Sequence, residues 1–261
     1  MKTRLLLLSI IVMLIMPLAA AQNSGTGNVK VMTFNLRAGS LTTLDSLADV
    51  IKSQNPDFVA LQEVDVMTMR GNAPNMNGKN MVSELAARTG MFGDFARTIN
   101  FVGGYYGIAI LSKHPCVKME KFMLPNPENT EQRALLKGTY ELNGKVPFIF
   151  ACTHLDVKSA ATRSLQVDFI LDRLGDDITT PIIIGGDFNA YPDEECINKL
   201  RKRMTNISGN GLTFPSDAPD CKIDYLFFAP KKGCDLISTQ VIGHNPQPSD
   251  HRAVSTEIKL H

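Results

Sequence analysis

The sequence predicts an α/β fold built in layers around mixed sheets, and three observations carry that expectation. Strand-like segments outnumber helix-like ones, and several strands follow each other closely enough to form meander hairpins. One strand, "PIIIGGD" (181–187), has no polar alternation, as expected of a strand covered on both faces.

Taken in order, "VKVMTFNL" (29–36) reads as a buried strand, and "LTTLDSLADVIKSQ" (41–54) as a helix with Leu44, Leu47, Ala48 and Ile51 on one face. Asn55-Pro56 ends that helix, because proline disfavours a helical residue before it. "DFVALQEV" (57–64) is the next strand, and a helix is expected over 79–88. Five strands follow: "FGDFARTI" (92–99), "YGIAILSK" (106–113), "VKMEKFML" (117–124), "RALLKGTYEL" (133–142) and "VPFIFACTHL" (146–155). Asn143-Gly144 is a hairpin turn between the last two. A helix over 159–174 presents Leu165, Phe169 and Leu171. After "PIIIGGD", whose glycines leave room for backbone and substrate to approach, come "KIDYLFFA" (222–229), a strand near 237–243, and "HRAVSTEIKL" (251–260).

The chain has 261 residues, and no repeat or linker divides positions 28 to 261. "MKTRLLLLSIIVMLIMPLAAAQ" has the basic start, apolar run and small-residue end of a secretory signal peptide. The expected organisation is a signal peptide over 1–21, a short segment over 22–28 and one domain over 29–261. The apolar run is short for a membrane span. Export to a bacterial periplasm or the medium is therefore expected, with no transmembrane span left after cleavage. Formal net charge is +1, and loss of Lys2 and Arg4 brings the mature chain to about −1. That balance lacks the broad basic surface on which non-specific nucleic-acid binding relies. Five cysteines show no zinc spacing; Cys152 reads as a small buried hydrophobe, and Cys221 is a candidate for a disulfide with Cys234 or Cys196.

The informative feature is where the strands stop. Asn35 follows "VMTF", Glu63 follows "VALQ", His154 and Asp156 follow "FACT", and Asp187 and Asn189 follow "IIIGG". Asp224 opens "DYLFF", and Ser249, Asp250 and His251 precede the last strand. Singly, each is an ordinary turn or surface residue. Together, at strand ends in an α/β chain, they are candidates for one site.

The run "FNLRAG", "LQEV", "YGIAILSK", "THLD", "GGDFNAYPD", "IDYLFF" and "SDHRAV" resembles the endonuclease/exonuclease/phosphatase superfamily. The resemblance covers roughly residues 29 to 258. It implies a four-layer α/β/β/α sandwich, two mixed sheets face to face with outer helices, as in pancreatic deoxyribonuclease. It also implies one or two Mg²⁺ or Mn²⁺ ions and in-line hydrolysis of a phosphate ester. By matched motif, Glu63 is the principal metal ligand, with Asn35 beside it and Asp250 on the far side. His251 is the general base or the group that contacts phosphate, with Asp224 orienting it. Asp187 and Asn189 position the attacking water and a phosphoryl oxygen, sharing one face if strand geometry persists, and His154 stabilises the pentacovalent phosphate.

Oxygen ligands suit a hard cation, and a histidine oriented by a carboxylate suits proton transfer. The chain departs from the family pattern at Ile108, where many relatives carry Asn; Tyr105 or Tyr106 reads equally as a phosphate contact or as edge packing on a core strand. Arg163 and Gln166 read as ties between a helix and the active-site loop, although Arg163, like Tyr106 and Arg70, is also a candidate substrate contact. Arg70 and Lys79 lie in a polar loop (64–80), and a second long connection (205–222) precedes Asp224. The expected substrate is a phosphate ester: nucleic acid, phospholipid head group or sugar phosphate. No protein partner is implied, and a monomer is expected. A nuclease is the alternative enzyme, and a non-catalytic binding protein on the same fold is the non-enzymatic one.

Overall fold

A computed structural model describes residues 27–144, 146–175 and 179–261, so the expected signal peptide over 1–21 lies outside the described residues. The first sheet contains β1 (Asn28–Asn35), β2 (Phe58–Val66), β3 (Phe92–Phe101), β4 (Gly104–Ser112), β11 (Cys234–Ile242) and β12 (Ala253–Leu260), in the order β11-β12-β1-β2-β4-β3. The second contains β5 (Cys116–Met123), β6 (Ala134–Leu142), β7 (Val146–His154), β8 (Ile182–Asp187), β9 (Thr205–Asn206) and β10 (Asp224–Ala229), in the order β5-β6-β7-β8-β10-β9. Each sheet holds one parallel pair, β1 with β2 and β7 with β8, among antiparallel neighbours. Helix α1 (Leu44–Gln54) makes the first parallel crossover, and α3 (Ala160–Leu174) makes the second. The sheets are therefore mixed, as the sequence predicts.

Three apolar layers hold the four structural layers together. Leu47 and Ile51 of α1 pack with Met81 and Leu85 of α2 (Met81–Thr89) on Phe34, Val59 and Leu111 of the first sheet. Phe58, Ala60 and Ile110 meet Phe148, Phe150, Ile183 and Phe228 between the sheets. Val167 and Ile170 of α3 join Ile197 and Leu200 of α4 (Glu195–Arg203) against Ile182, Ile184 and Phe227. The isoleucine run of β8 thus alternates, Ile183 toward the other sheet and its neighbours toward the helices, which explains why it carries no polar face. Ile108, the departure from the family pattern, sits in this inter-sheet layer.

Several local expectations are corrected. A Cβ on Gly185 would stand 3.1 Å from Ala60 of the facing sheet, and one on Gly186 would stand 2.2 Å from the Thr153 carbonyl oxygen. These glycines make room for the core and the neighbouring strand, not for substrate. Helix α3 buries Val167, Ile170 and Leu171, whereas Leu165 is exposed. All five cysteines are free thiols, so the disulfide considered for Cys221 is absent. No helix among the described residues is long and apolar enough to cross a membrane.

Candidate active site

Strand pairing sets the polar strand ends side by side. Parallel register places Asn35 of β1 level with Gln62 of β2, and His154 of β7 level with Asp187 of β8. Asp187 in turn faces Asp224, the first residue of β10. Asp250 and His251 sit on the turn entering β12. Glu63, His154, Asp187, Asn189, Asp250 and His251 all line one cleft of about 430 Å³, together with Tyr106, Arg70 and Arg133. The ends of parallel strands are where α/β folds commonly receive ligands.

Backbone irregularities aim the side chains. The β2–β4 register slips between Leu61 and Val64, so Gln62 and Glu63 form a bulge opposite Ile108. Within it Glu63 has φ +54°; Arg37 and Asn189 each have φ +47°. Such left-handed conformations cost of order 1–3 kcal/mol each and persist where surrounding structure imposes them. Strand geometry therefore does not continue through Asn189. Its backbone N–H donates to Asp187 Oδ1 at 2.9 Å and its Nδ2 to the Leu155 carbonyl at 3.1 Å. Asn189 braces Asp187 instead of sharing its face.

Asp187 is the hub of the polar network. Its Oδ2 accepts from Asn35 Nδ2 at 3.0 Å and lies 3.5 Å from His154 Nε2 and 3.7 Å from His251 Nε2. His251 Nδ1 is 3.0 Å from Asp224 Oδ2, the pairing expected of a histidine oriented by a carboxylate. Phe214 packs on the His251 ring at a centroid distance of 4.8 Å. Burial opposes charge on His251, but Asp224 and Asp187 outweigh it and raise its pKa to about 10. Burial pushes Asp187 upward, against the pull of His251, and pushes Glu63 upward too, against the Asn35 hydrogen bond. His154 is driven well below the ordinary imidazole range by burial, by Arg133 and by His251.

The two histidines should therefore titrate oppositely. In metal-free protein, NMR is expected to show His251 protonated through neutrality and titrating near pH 10, with His154 neutral across that range. Since the folded pKa of His251 lies above its unfolded value, its contribution to stability is full below about 6.5 and is lost as pH rises through 10. A neutral His251 at pH 7 would contradict this electrostatic picture.

Glu63 and Asp250 give oxygen donors that suit a hard divalent cation. Glu63 is a half-buried carboxylate whose protein hydrogen bond comes from Asn35 Nδ2 at 3.2 Å, so a cation would relieve its desolvation. Asp250 Oδ2 pairs with Arg37 Nη1 at 3.0 Å, the contact a cation would exchange with. Asn35 presents its Nδ2 to both Glu63 and Asp187, while its Oδ1 accepts from the Arg37 N–H at 3.0 Å. As arranged, its Nδ2 ties the two carboxylates and its Oδ1 is engaged by a backbone N–H. Donor atoms of Asp187, Asp224 and His251 also lie within 4.8 Å of one another. With Nδ1 of His251 already on Asp224, that cluster reads better as a hydrogen-bonded dyad beside an acid.

The candidate substrate contacts divide. Tyr106 is buried at the cleft wall, against Phe101. Arg70 lines the cleft, but its Nε and Nη2 hold both oxygens of Asp65 and its guanidinium lies over Phe101 and Tyr106. It is a wall-building side chain whose charge is already paired, not a free anion contact. Arg163 is not at the cleft: it binds Glu194 and donates to the Asp156 carbonyl at 3.1 Å. Gln166 Oε1 accepts from the Asp156 N–H at 2.9 Å, so both act as ties. Lys79 lines a different depression with Thr43 and Arg88. Arg133, Arg37 and Phe214 also stand at the site without having been marked by the sequence. Arg37 stands two residues past β1 inside "FNLRAG", Arg133 stands just before β6, and Phe214 carries no signal.

The fold and this rim define the class to which phosphoesterases of the sandwich type belong. The chain is a member of the endonuclease/exonuclease/phosphatase family, whose model matches residues 32–251. The Drosophila melanogaster protein angel is 27% identical over 169 residues, 62% of this chain and 47% of that protein. This chain therefore spans about half the length of that curated relative. An endonuclease/exonuclease/phosphatase from Beutenbergia cavernae superposes with a TM-score of 0.75 at 22% identity, covering 90% of this chain and 72% of that one. A mannosyl-6-phosphatase from Bacteroides thetaiotaomicron superposes with a TM-score of 0.69 at 16% identity, covering 88% and 99%. At these identities the superpositions establish fold.

Proposed function

We propose that the protein is a divalent-metal-dependent hydrolase of phosphate esters, with Mg²⁺ or Mn²⁺ as cofactor. The observation that carries this reading is the convergence of Glu63 and Asp250 with the His251–Asp224 dyad around Asp187 in one cleft. Glu63 and Asp250 would hold the cation, which supplies charge neutralisation at the phosphoryl oxygens. His251, held charged by two carboxylates, donates from Nε2 to the phosphoryl group. This favours the phosphate-contact role over the general-base role for His251. Asp187, whose burial keeps its carboxyl basic, accepts the proton of the attacking water. Asn35 and Asn189 fix the Asp187 carboxylate. Tyr106, walled by Phe101, shapes the approach of the ester group.

The near-neutral chain supports a small or head-group substrate over a polynucleotide, and the likeness to a mannosyl-6-phosphatase fold keeps sugar phosphates among the candidates. The leader-like N-terminus supports action after export. A panel of sugar phosphates, phospholipid head-group esters, RNA and plasmid DNA, each with Mg²⁺ or Mn²⁺, tests the reading. Hydrolysis of at least one class, abolished by EDTA and restored by the cation, is expected. Activity unchanged by EDTA would contradict it.

A further inference from the structure

Arg133 lies outside every motif that pointed to the site, immediately before β6, and is only 5% exposed. Its Nη1 stands 2.9 Å from His154 Nδ1 and 2.7 Å from Glu131 Oε1. A guanidinium has donors and no acceptor. His154 Nδ1 must therefore accept, and the proton of the neutral ring must sit on Nε2. That nitrogen lies 3.5 Å from Asp187 Oδ2, a long contact for a hydrogen bond, and both residues line the cleft. Meanwhile Arg133 Nε is buried without a partner. A buried donor left without a partner calls for an explanation, and the placement of Nη1 between His154 and Glu131 offers one.

We propose that Arg133 is a positioning residue that fixes His154 in its Nε2–H tautomer, making it an uncharged hydrogen-bond donor to an oxygen of the bound phosphate group. His154 then gives a hydrogen bond and transfers no proton, because the guanidinium beside Nδ1 leaves that nitrogen no room to be protonated. Glu131, which also lines the cleft, completes the arrangement by holding the same Nη1. The ligand's identity rests on the phosphoesterase reading; the tautomer does not.

The test uses the full chain with ¹⁵N-labelled histidine, without metal or substrate, the His154 signals being assigned by their loss in His154→Gln. The wild-type ring is expected to show Nδ1 unprotonated and Nε2 protonated at pH 7. Arg133→Met should release the Nδ1–H form and lower kcat by about 10²-fold with little change in KM, the scale for one preorganised donor. Arg133→Lys, which restores a donor, should return the tautomer and part of kcat. A wild-type ring protonated on Nδ1, or a tautomer unchanged in Arg133→Met, overturns the proposal. Should Arg133→Met fail to fold, the wild-type and Arg133→Lys spectra still decide it. A wild-type protein with the fixed tautomer but no phosphoesterase activity would overturn the proposed function while upholding the positioning.

Discussion

Glu63→Gln is expected to reduce metal-dependent hydrolysis by roughly 10³-fold, about 4 kcal/mol of transition-state stabilisation. Glutamine keeps the shape of the side chain and an oxygen that accepts from Asn35 Nδ2, so the bulge that aims position 63 should survive. What is removed is the negative charge that burial penalises and a cation would satisfy. The metal-free variant should therefore be at least as stable as the wild type in denaturant, because desolvation of this half-buried charge outweighs the help it receives from Asn35 and His251. Its Mn²⁺ affinity, read by titration calorimetry, should fall alongside its activity. Lost activity together with a lowered denaturation midpoint would point to misfolding instead of a missing ligand.

His251→Asn should cost a similar amount of activity, about 10²- to 10⁴-fold, for a different reason and with the opposite effect on stability. The ring stands between Asp224 and Asp187, both about 1% exposed, and supplies the positive charge that lets them share a small space. Removing it leaves two buried carboxylates facing each other, and breaking such an arrangement typically costs about 3–5 kcal/mol. Adding Asp224→Asn to the same chain should recover much of that stability, since one of the two repelling charges is gone. Activity should stay lost. The contrast between a stable, inactive Glu63→Gln and an unstable, inactive His251→Asn separates the roles of the two residues. Equal stabilities would mean that Asp224 and Asp187 are not held by His251.

Much of this centre is legible in the sequence because its residues interrupt apolar runs. An Asn, a His and an Asp that each end a buried strand have nowhere to go but a rim, and a Glu at a bulge within β2 joins them there. The isoleucines of β8 announce a strand covered twice, and the inter-sheet and helix layers cover it. What the pattern cannot express is conformation set by tertiary packing. The Gln62–Glu63 bulge exists because β4 pairs with β2 out of step, a long-range event. Asn189 reads as the next residue on Asp187's face, yet a left-handed turn redirects it toward Leu155. Helix α4 buries only Cys196, Ile197 and Leu200 in a largely charged segment, too few apolar positions to mark a helical face. Arg70 and Arg163 look like free cations until their partners, Asp65 and Glu194, are seen. Arg133 is unremarkable in "QRALLK", because its importance lies in a histidine 21 residues away.

The most direct test of the account is hydrolysis of bis-p-nitrophenyl phosphate by purified protein with Mg²⁺ or Mn²⁺, comparing the wild type with Glu63→Gln and His251→Asn. A wild-type rate that depends on the cation and a loss of at least 10²-fold in each variant are expected. Equal rates in the three proteins would contradict that expectation.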